Sequence, residues 1–122
     1  MNRLSLALAS VLLAVGGCTS AAGGEVAAPQ SVDAVITAEQ MAFEPGELDL
    51  PAGRPLTVLL RNRDAALHNV AILPEGGGDA VFVGEFIGTG EIVYSLPPLE
   101  PGRYLLRCDL HPAMVGVIVA AP

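Results

Sequence analysis

The sequence predicts an all-β domain, either an antiparallel sandwich or a barrel, after residue 31. Short apolar or alternating segments recur there at nearly regular intervals, and glycine and proline separate them. No window in this region combines a sustained helical period with capping residues. The domain has about 90 residues, close to the roughly 100 residues of a single β-sandwich.

The first 17 residues differ from this domain. A short positive start that contains Arg3 precedes a nearly continuous apolar run from Leu4 to Val15, and two glycines follow. This order is typical of a secretory signal peptide. The run is shorter than the roughly 20 residues of a membrane-spanning helix, so an uncleaved membrane anchor is the less favoured alternative.

Cys18 follows the two glycines, and Val15-Gly16-Gly17-Cys18 resembles the bacterial lipobox. The resemblance implies that Cys18 carries a diacylglycerol, which would anchor an exported protein to a bacterial membrane. Residues 18–31 are mostly small and are predicted to be a flexible linker to the domain, residues 32–122. Cys108 is then the single thiol of an exported domain, and metal ligation is one explanation for it.

Within the domain, the predicted strands are residues 32–37, 47–50, 56–62, 68–73, 80–84, 91–95, 103–108 and 116–120. Residues 47–50 and 91–95 alternate polar and apolar side chains, as strands with one solvent face do. Residues 56–62 give the strongest prediction of a central strand. Residues 97–102 contain too many prolines for a helix and are predicted to be a turn.

The charge of the chain excludes one class of partner. Without residues 1–17 the chain has five arginines, thirteen acids and no lysine, which gives a formal net charge of −8. An acidic surface argues against nucleic-acid binding and favours a basic protein partner.

One segment carries three metal-binding residue types. Cys108, His111 and Met114 follow one another at steps of three. Pro112 excludes a helix interior at this point, and a strand would distribute the three side chains over both of its faces. We therefore predict a tight loop between two strands, with all three side chains directed at one point.

The donor types then indicate the metal. His68 is the only other histidine, so the chain offers two imidazoles, one domain thiol and a thioether. Two His and one Cys with a weak axial Met is the pattern of blue-copper sites. Each residue also has a structural alternative: a strand-edge His68, an inert buried Cys108, an exposed turn residue at His111 and a core-filling Met114.

These motifs resemble those of the cupredoxins, the type 1 blue copper proteins of the plastocyanin/azurin family. The similarity rests on Leu67-His68-Asn69-Val70 and on Cys108-x-x-His111-Pro112-x-Met114-x-Gly116, and the ligand loop most resembles that of the amicyanins. It covers about residues 32–120. It implies a Greek-key sandwich of about eight strands, one type 1 copper held by these four residues, and one-electron transfer without enzymatic activity.

The resemblance also implies roles for residues around the ligands. Asn69 is expected to tie the two ligand segments together, with its backbone N–H directed at the Cys108 sulfur; a plain turn residue is the alternative. Leu110 stands where relatives tend to have proline. Its N–H is available for a second bond to that sulfur, which we predict raises the reduction potential relative to a Leu110→Pro variant.

Redox partners, a donor and an acceptor, are expected to dock near His111, which in the family reaches the surface inside an apolar patch. Here the patch would consist of Leu67, Leu110, Pro112 and Ala113, with scattered exposed apolar residues as the alternative. Arg107 replaces the aromatic residue of a second electron route in plastocyanin-like proteins. With Arg61 and Arg63 it would form a local positive spot, unless these are ordinary solvated arginines. We expect a monomer.

Other functions remain open on the sequence. Zinc would accept Cys and His, but structural zinc sites do not use Met. A Cys108–His111 nucleophile pair would have only Asp109 as an orienting group. An exported copper-buffering or copper-delivery protein is the main alternative, although the chain has no Met-rich tract. A metal-free interaction domain would leave the set of four ligands unexplained.

Overall fold

The computed structural model describes residues 31–122, so the predicted leader, Cys18 and nearly all of the linker lie outside the described residues. Within the described part the fold is all-β and contains no helix, hence none that could span a membrane. Its nine strands are β1 (Ala34–Glu39), β2 (Ala42–Glu44), β3 (Glu47–Pro51), β4 (Leu56–Asn62), β5 (Ala71–Pro74), β6 (Phe82–Val83), β7 (Gly90–Leu96), β8 (Gly102–Cys108) and β9 (His111–Ala121). The all-β, two-sheet prediction is confirmed.

The first sheet has the strand order β2-β1-β4-β7. Its centre is β4, in which Leu56, Val58 and Leu60 are buried while the residues between them are partly exposed. This alternation follows from the two-residue period of a strand, which sends successive side chains to opposite faces. The prediction of a central strand at residues 56–62 is therefore confirmed.

The second sheet has the order β3-β9-β8-β5-β6 and covers the same core from the other side. Leu106 of β8 and Ile118 of β9 are fully buried in that core, together with Ile72 of β5. The β8–β9 hairpin is the longest in the chain. Since Cys108 ends β8 and His111 begins β9, this hairpin also places two of the predicted ligands.

Two strand pairs are parallel, β1 with β4 and β3 with β9, whereas the sequence predicted an antiparallel fold. Parallel neighbours need a crossover connection instead of a tight turn. Here β2 and β3 lie between β1 and β4 in the chain, and β3 belongs to the opposite sheet. The sandwich is consequently mixed.

The segment around His68 also differs from the prediction of a strand over residues 68–73. The regular strand β5 begins only at Ala71. His68 instead forms an isolated antiparallel bridge with Ile87, with N–H···O distances of 3.0 and 2.9 Å. The backbone of His68 is thus held by the connection between β6 and β7.

The β8–β9 hairpin contains an irregularity at the predicted ligand loop. Arg107 pairs with Val115, but the next residue, Cys108, pairs with His111. Residues 112–114 therefore have no partner on β8, and such extra residues bend a strand and redirect its side chains. In place of the predicted loop, the structure has the first residues of β9 with a bulge. The bulge interrupts the alternation of side chains that would otherwise place His111 and Met114 on opposite faces of the strand.

Candidate metal centre

Three of the predicted ligands meet at one end of the sandwich. The Cys108 Sγ lies 3.7 Å from His68 Nδ1 and 3.5 Å from His111 Nδ1. The two imidazole rings are 4.9 Å apart between centroids and inclined at 67°. The three donor atoms lie within 4.8 Å of one another, so a single ion could contact all of them.

Different parts of the fold supply these donors. Cys108 and His111 are the closing residues of the β8–β9 hairpin and are separated only by Asp109 and Leu110. His68 comes from the connection between β4 and β5, 40 residues earlier than Cys108. The pairing of β5 with β8 brings the two segments together, because Ala71 faces Arg107 in that ladder.

The burial of the donors is uneven. Cys108 and His68 are fully buried, and His111 is partly exposed. Met114 lies within the bulge and is 2 % exposed, whereas Met41 is 45 % exposed on the turn between β1 and β2. Among the described methionines, Met114 is therefore the one placed in the core beside the ligand hairpin.

The donor set fits one copper ion. The sulfur–nitrogen separations of 3.7 and 3.5 Å suit atoms that share one metal. A thiolate and a thioether are soft donors, and together with two imidazoles they are the donor set of a blue-copper site. Zinc fits less well because its structural sites do not use a thioether.

Asp64 is a residue beside the site that the sequence analysis missed. One of its oxygens lies 2.8 Å from His68 Nε2, and the carboxylate also accepts the N–H groups of Gln40 at 2.7 Å and Met41 at 3.0 Å. The pKa of the Asp64 carboxyl lies below its usual value, chiefly because the carboxylate accepts the Met41 N–H and secondly because it is hydrogen-bonded to His68. Because a carboxylate only accepts, His68 donates its Nε2–H to Asp64, and Nδ1 is the ring nitrogen that faces the Cys108 sulfur.

Asn69 joins the two ligand segments through its side chain. Its amide nitrogen donates to Asp109 Oδ2 at 3.0 Å and to the Gly84 carbonyl at 3.1 Å, and its oxygen accepts the Asp109 N–H at 2.9 Å. The expected N–H···S bonds from Asn69 and Leu110 are not among the hydrogen bonds of the described residues. The Cys108 sulfur there contacts the two imidazoles.

The surface beside the site is apolar. Leu67, Leu110, Pro112 and Ala113, the four residues predicted for a patch around His111, are all exposed. Phe86 is also exposed, and the sequence analysis did not select it. Nothing local marks Phe86, since its proximity to the site follows from the bridge between Ile87 and His68.

The three arginines considered for a positive spot all have acidic partners. Arg107 contacts Asp109 at 3.1 Å, and the other two pairs are Arg61–Glu91 at 2.7 Å and Arg63–Glu39 at 3.4 Å. Each pair neutralises its own charge locally, so these arginines do not give the site a positive surface.

Comparison with known proteins is consistent with this geometry. The family model described as a cupredoxin-like domain matches residues 6–120. Amicyanin from Paracoccus versutus is 32 % identical over 76 % of this chain and 86 % of its own, with a TM-score of 0.60. A Cu(I) form of an amicyanin variant is 33 % identical over 75 % of this chain and 85 % of its own, also with a TM-score of 0.60.

A more distant structure shares the fold. Reduced auracyanin from the photosynthetic bacterium Roseiflexus castenholzii covers 75 % of this chain and 98 % of its own, with a TM-score of 0.63 and 22 % identity. A search of curated protein sequences found no match.

Proposed function

The chain belongs to the cupredoxin-like family, and from this membership we propose that it is a type 1 blue copper protein that carries single electrons between exported or membrane redox partners. The observation that carries the proposal is the convergence of His68 Nδ1, Cys108 Sγ and His111 Nδ1 within 4.8 Å. In this role the protein is a carrier and not an enzyme.

Each ligand has a distinct part in the proposed site. His68, Cys108 and His111 would hold one copper, with the Met114 thioether as a fourth donor, and the bound copper would supply a one-electron change between Cu(II) and Cu(I). The buried Cys108 and His68 keep water away from the metal position. Asp64 orients the His68 ring through its hydrogen bond with Nε2, and Asn69 holds the backbone of Asp109, the residue after Cys108.

The rigid attachment of these ligands favours electron transfer. The ligand segments are tied to paired strands, and the buried donors are packed in the core. Cores of this kind are as closely packed as organic crystals, so the donor positions should change little between the two oxidation states. The same burial disfavours the alternative of copper buffering or delivery, which needs an exchangeable, solvent-open site.

We also propose the location of the protein. Residues 1–17 would be removed as a lipoprotein signal peptide, Cys18 would carry the lipid, and residues 18–31 would link it to the domain at 32–122. The domain would then lie in the periplasm or outside the cell, next to membrane redox proteins. Mass spectrometry of the mature N-terminus tests this; an unmodified Cys18 or a retained leader contradicts it.

The test of the copper site is spectroscopic. The chain from residue 19, after addition of Cu(II), should show an intense blue thiolate-to-copper band and a narrow copper hyperfine splitting in EPR. Cys108→Ser should lose both, since Cys108 is the single thiol of that chain. Met114→Leu should change the spectrum and the potential, whereas Met41→Leu, an exposed methionine, is the matched control and should change neither.

A colourless protein, or a weak band with ordinary copper parameters that persists in Cys108→Ser, would contradict the proposal. A copper-buffering protein or an interaction module would then explain the chain better.

A further inference from the structure

Apart from tyrosine and cysteine, the polar side chains that are buried among the described residues are those of Asn62, His68 and Asn69. His68 is a proposed ligand, and Asn69 joins the two ligand segments. Asn62, the last residue of β4, is 1 % exposed and belongs to neither group. Since a buried amide is costly unless its polar atoms are bonded, the partners of Asn62 show which part of the fold it supports.

Two of these partners lie in residues 63–67, the segment that leads from β4 to His68. The side-chain oxygen of Asn62 accepts the Asp64 N–H at 2.9 Å. The side-chain nitrogen donates to the Ala66 carbonyl at 2.8 Å. Asn62 therefore bonds both halves of the segment that carries the chain to the ligand.

The third partner lies in the connection between β6 and β7. The Asn62 amide nitrogen, which has two N–H groups, also donates to the Ile87 carbonyl at 3.0 Å. The same carbonyl accepts the backbone N–H of His68 at 3.0 Å, and the Ile87 N–H donates to the His68 carbonyl at 2.9 Å. A single oxygen atom thus joins the Asn62 side chain to the backbone of the ligand.

The other two proposed ligands with nitrogen or thiol donors are held in a different way. Cys108 and His111 belong to the β8–β9 ladder, and none of the three Asn62 bonds reaches either strand. A change at Asn62 should therefore act on the His68 side of the site and leave the hairpin side unchanged. A general loss of stability would instead affect both sides.

We propose that Asn62 is a positioning residue for His68: its amide fixes where the His68 backbone lies relative to Cys108 and His111. The inference rests on the proposed copper site and adds to it a residue that touches neither the metal position nor a donor atom. Outer residues that orient metal ligands typically change metal affinity 10- to 100-fold when they are replaced. Asn62 should belong to this group.

The first measurement needs no metal. Amide hydrogen exchange, followed by NMR before copper is added, reports local opening at the His68 N–H, which is bonded to the Ile87 carbonyl. Asn62→Leu has nearly the shape of the wild-type side chain and removes all three bonds. We expect the protection of the His68 amide to fall at least tenfold more than that of the β8 amides in the same variant.

The second measurement is a competition titration with Cu(II). The Kd should rise 10- to 100-fold in Asn62→Leu, and Asn62→Thr, which keeps one hydroxyl, should have an intermediate value. Leu56→Val is the matched control, because Leu56 is buried at the opposite end of β4. It should lower the protection of the His68 and β8 amides alike and leave the Kd at the wild-type value.

An equal loss of protection at His68 and in β8, or a Kd in Asn62→Leu equal to that of Leu56→Val, would overturn the inference. If Asn62→Leu does not fold, the same comparison is made with Asn62→Thr, where wild-type values would overturn it. A wild type without a blue copper site would refute the proposed function instead. The exchange measurement would then still decide whether Asn62 positions His68.

Discussion

Asp64 shows how much a single side chain contributes to this site. Its two oxygens accept three hydrogen bonds, one from His68 and two from the N–H groups of Gln40 and Met41. Those two residues have φ values of 53° and 60°, in the left-handed region that non-glycine residues rarely adopt. Asp64 therefore stabilises an unfavourable turn and orients a ligand at the same time.

Replacement of Asp64 by asparagine is the prediction at the residue scale. An amide has one acceptor oxygen, so at least one of the three bonds is lost, and His68 loses a negatively charged partner. We expect Asp64→Asn to lower Cu(II) affinity about 10- to 100-fold and to raise the reduction potential, because the imidazole becomes a weaker donor to Cu(II). Competition titration and voltammetry measure the two effects.

Asp79→Asn is the control for this substitution, since it makes the same change of charge at an exposed position. If both variants bind copper with wild-type affinity, the bond between Asp64 and His68 does not act on the metal.

At the scale of elements, β7 and residues 84–88, called the bracing segment because they pair with residues 68–70, fit together through Gly84. A Cβ at Gly84 would lie 2.5 Å from Tyr94 Cε1 and 2.6 Å from Cζ, closer than atoms can approach. The Tyr94 ring cannot easily move away, because it is buried and its hydroxyl donates a hydrogen bond to the Glu85 carbonyl. The ring also makes an edge contact with Phe82, with 5.4 Å between the ring centroids. Only glycine lets the bracing segment lie this close to β7.

We predict that Gly84→Ala lowers the free energy of unfolding of the copper-free protein by about 1–3 kcal/mol, the usual cost of overpacking. Urea unfolding measures it. Gly76→Ala, at a position with nothing within 4 Å of the added Cβ, should stay within about 0.5 kcal/mol of the wild type. Equal stability of the two variants would show that β7 and the bracing segment separate without cost.

At the scale of the whole molecule, the ligands connect two segments that are far apart in the chain. His68 precedes β5, and Cys108 to Met114 span the β8–β9 corner, so one metal ion would link segments 40 residues apart. An ion that binds the folded state and not the unfolded state adds its binding free energy to the stability of the fold. Copper should therefore stabilise the domain as a unit.

The corresponding prediction concerns thermal unfolding. With free Cu(II) at a thousandfold excess over its Kd, the unfolding free energy should rise by about 4 kcal/mol, which for a domain of this size is a Tm increase on the order of 15 °C or more. Calorimetry with and without copper measures it. An equal increase in Cys108→Ser would mean that copper stabilises the protein somewhere else.

The sequence by itself determined the strands and the ligand types. Alternation and turn residues are local signals, so the positions of β3, β4, β7 and β8 could be predicted within one residue or so. Cys108, His111 and Met114 lie within seven residues of each other, and a short segment cannot separate its side chains far. His68 could be predicted as the remaining ligand because it is the only other histidine in the sequence.

Only the tertiary structure decided which distant residues assist these ligands. Asp64 and Gly84 carry no local signal; their roles arise from the turn between β1 and β2, the bridge to His68 and the contact with Tyr94. The parallel pairs and the bulge at residues 112–114 likewise depend on partners far along the chain. Such contacts follow from the packing of two sheets, which a local pattern does not contain.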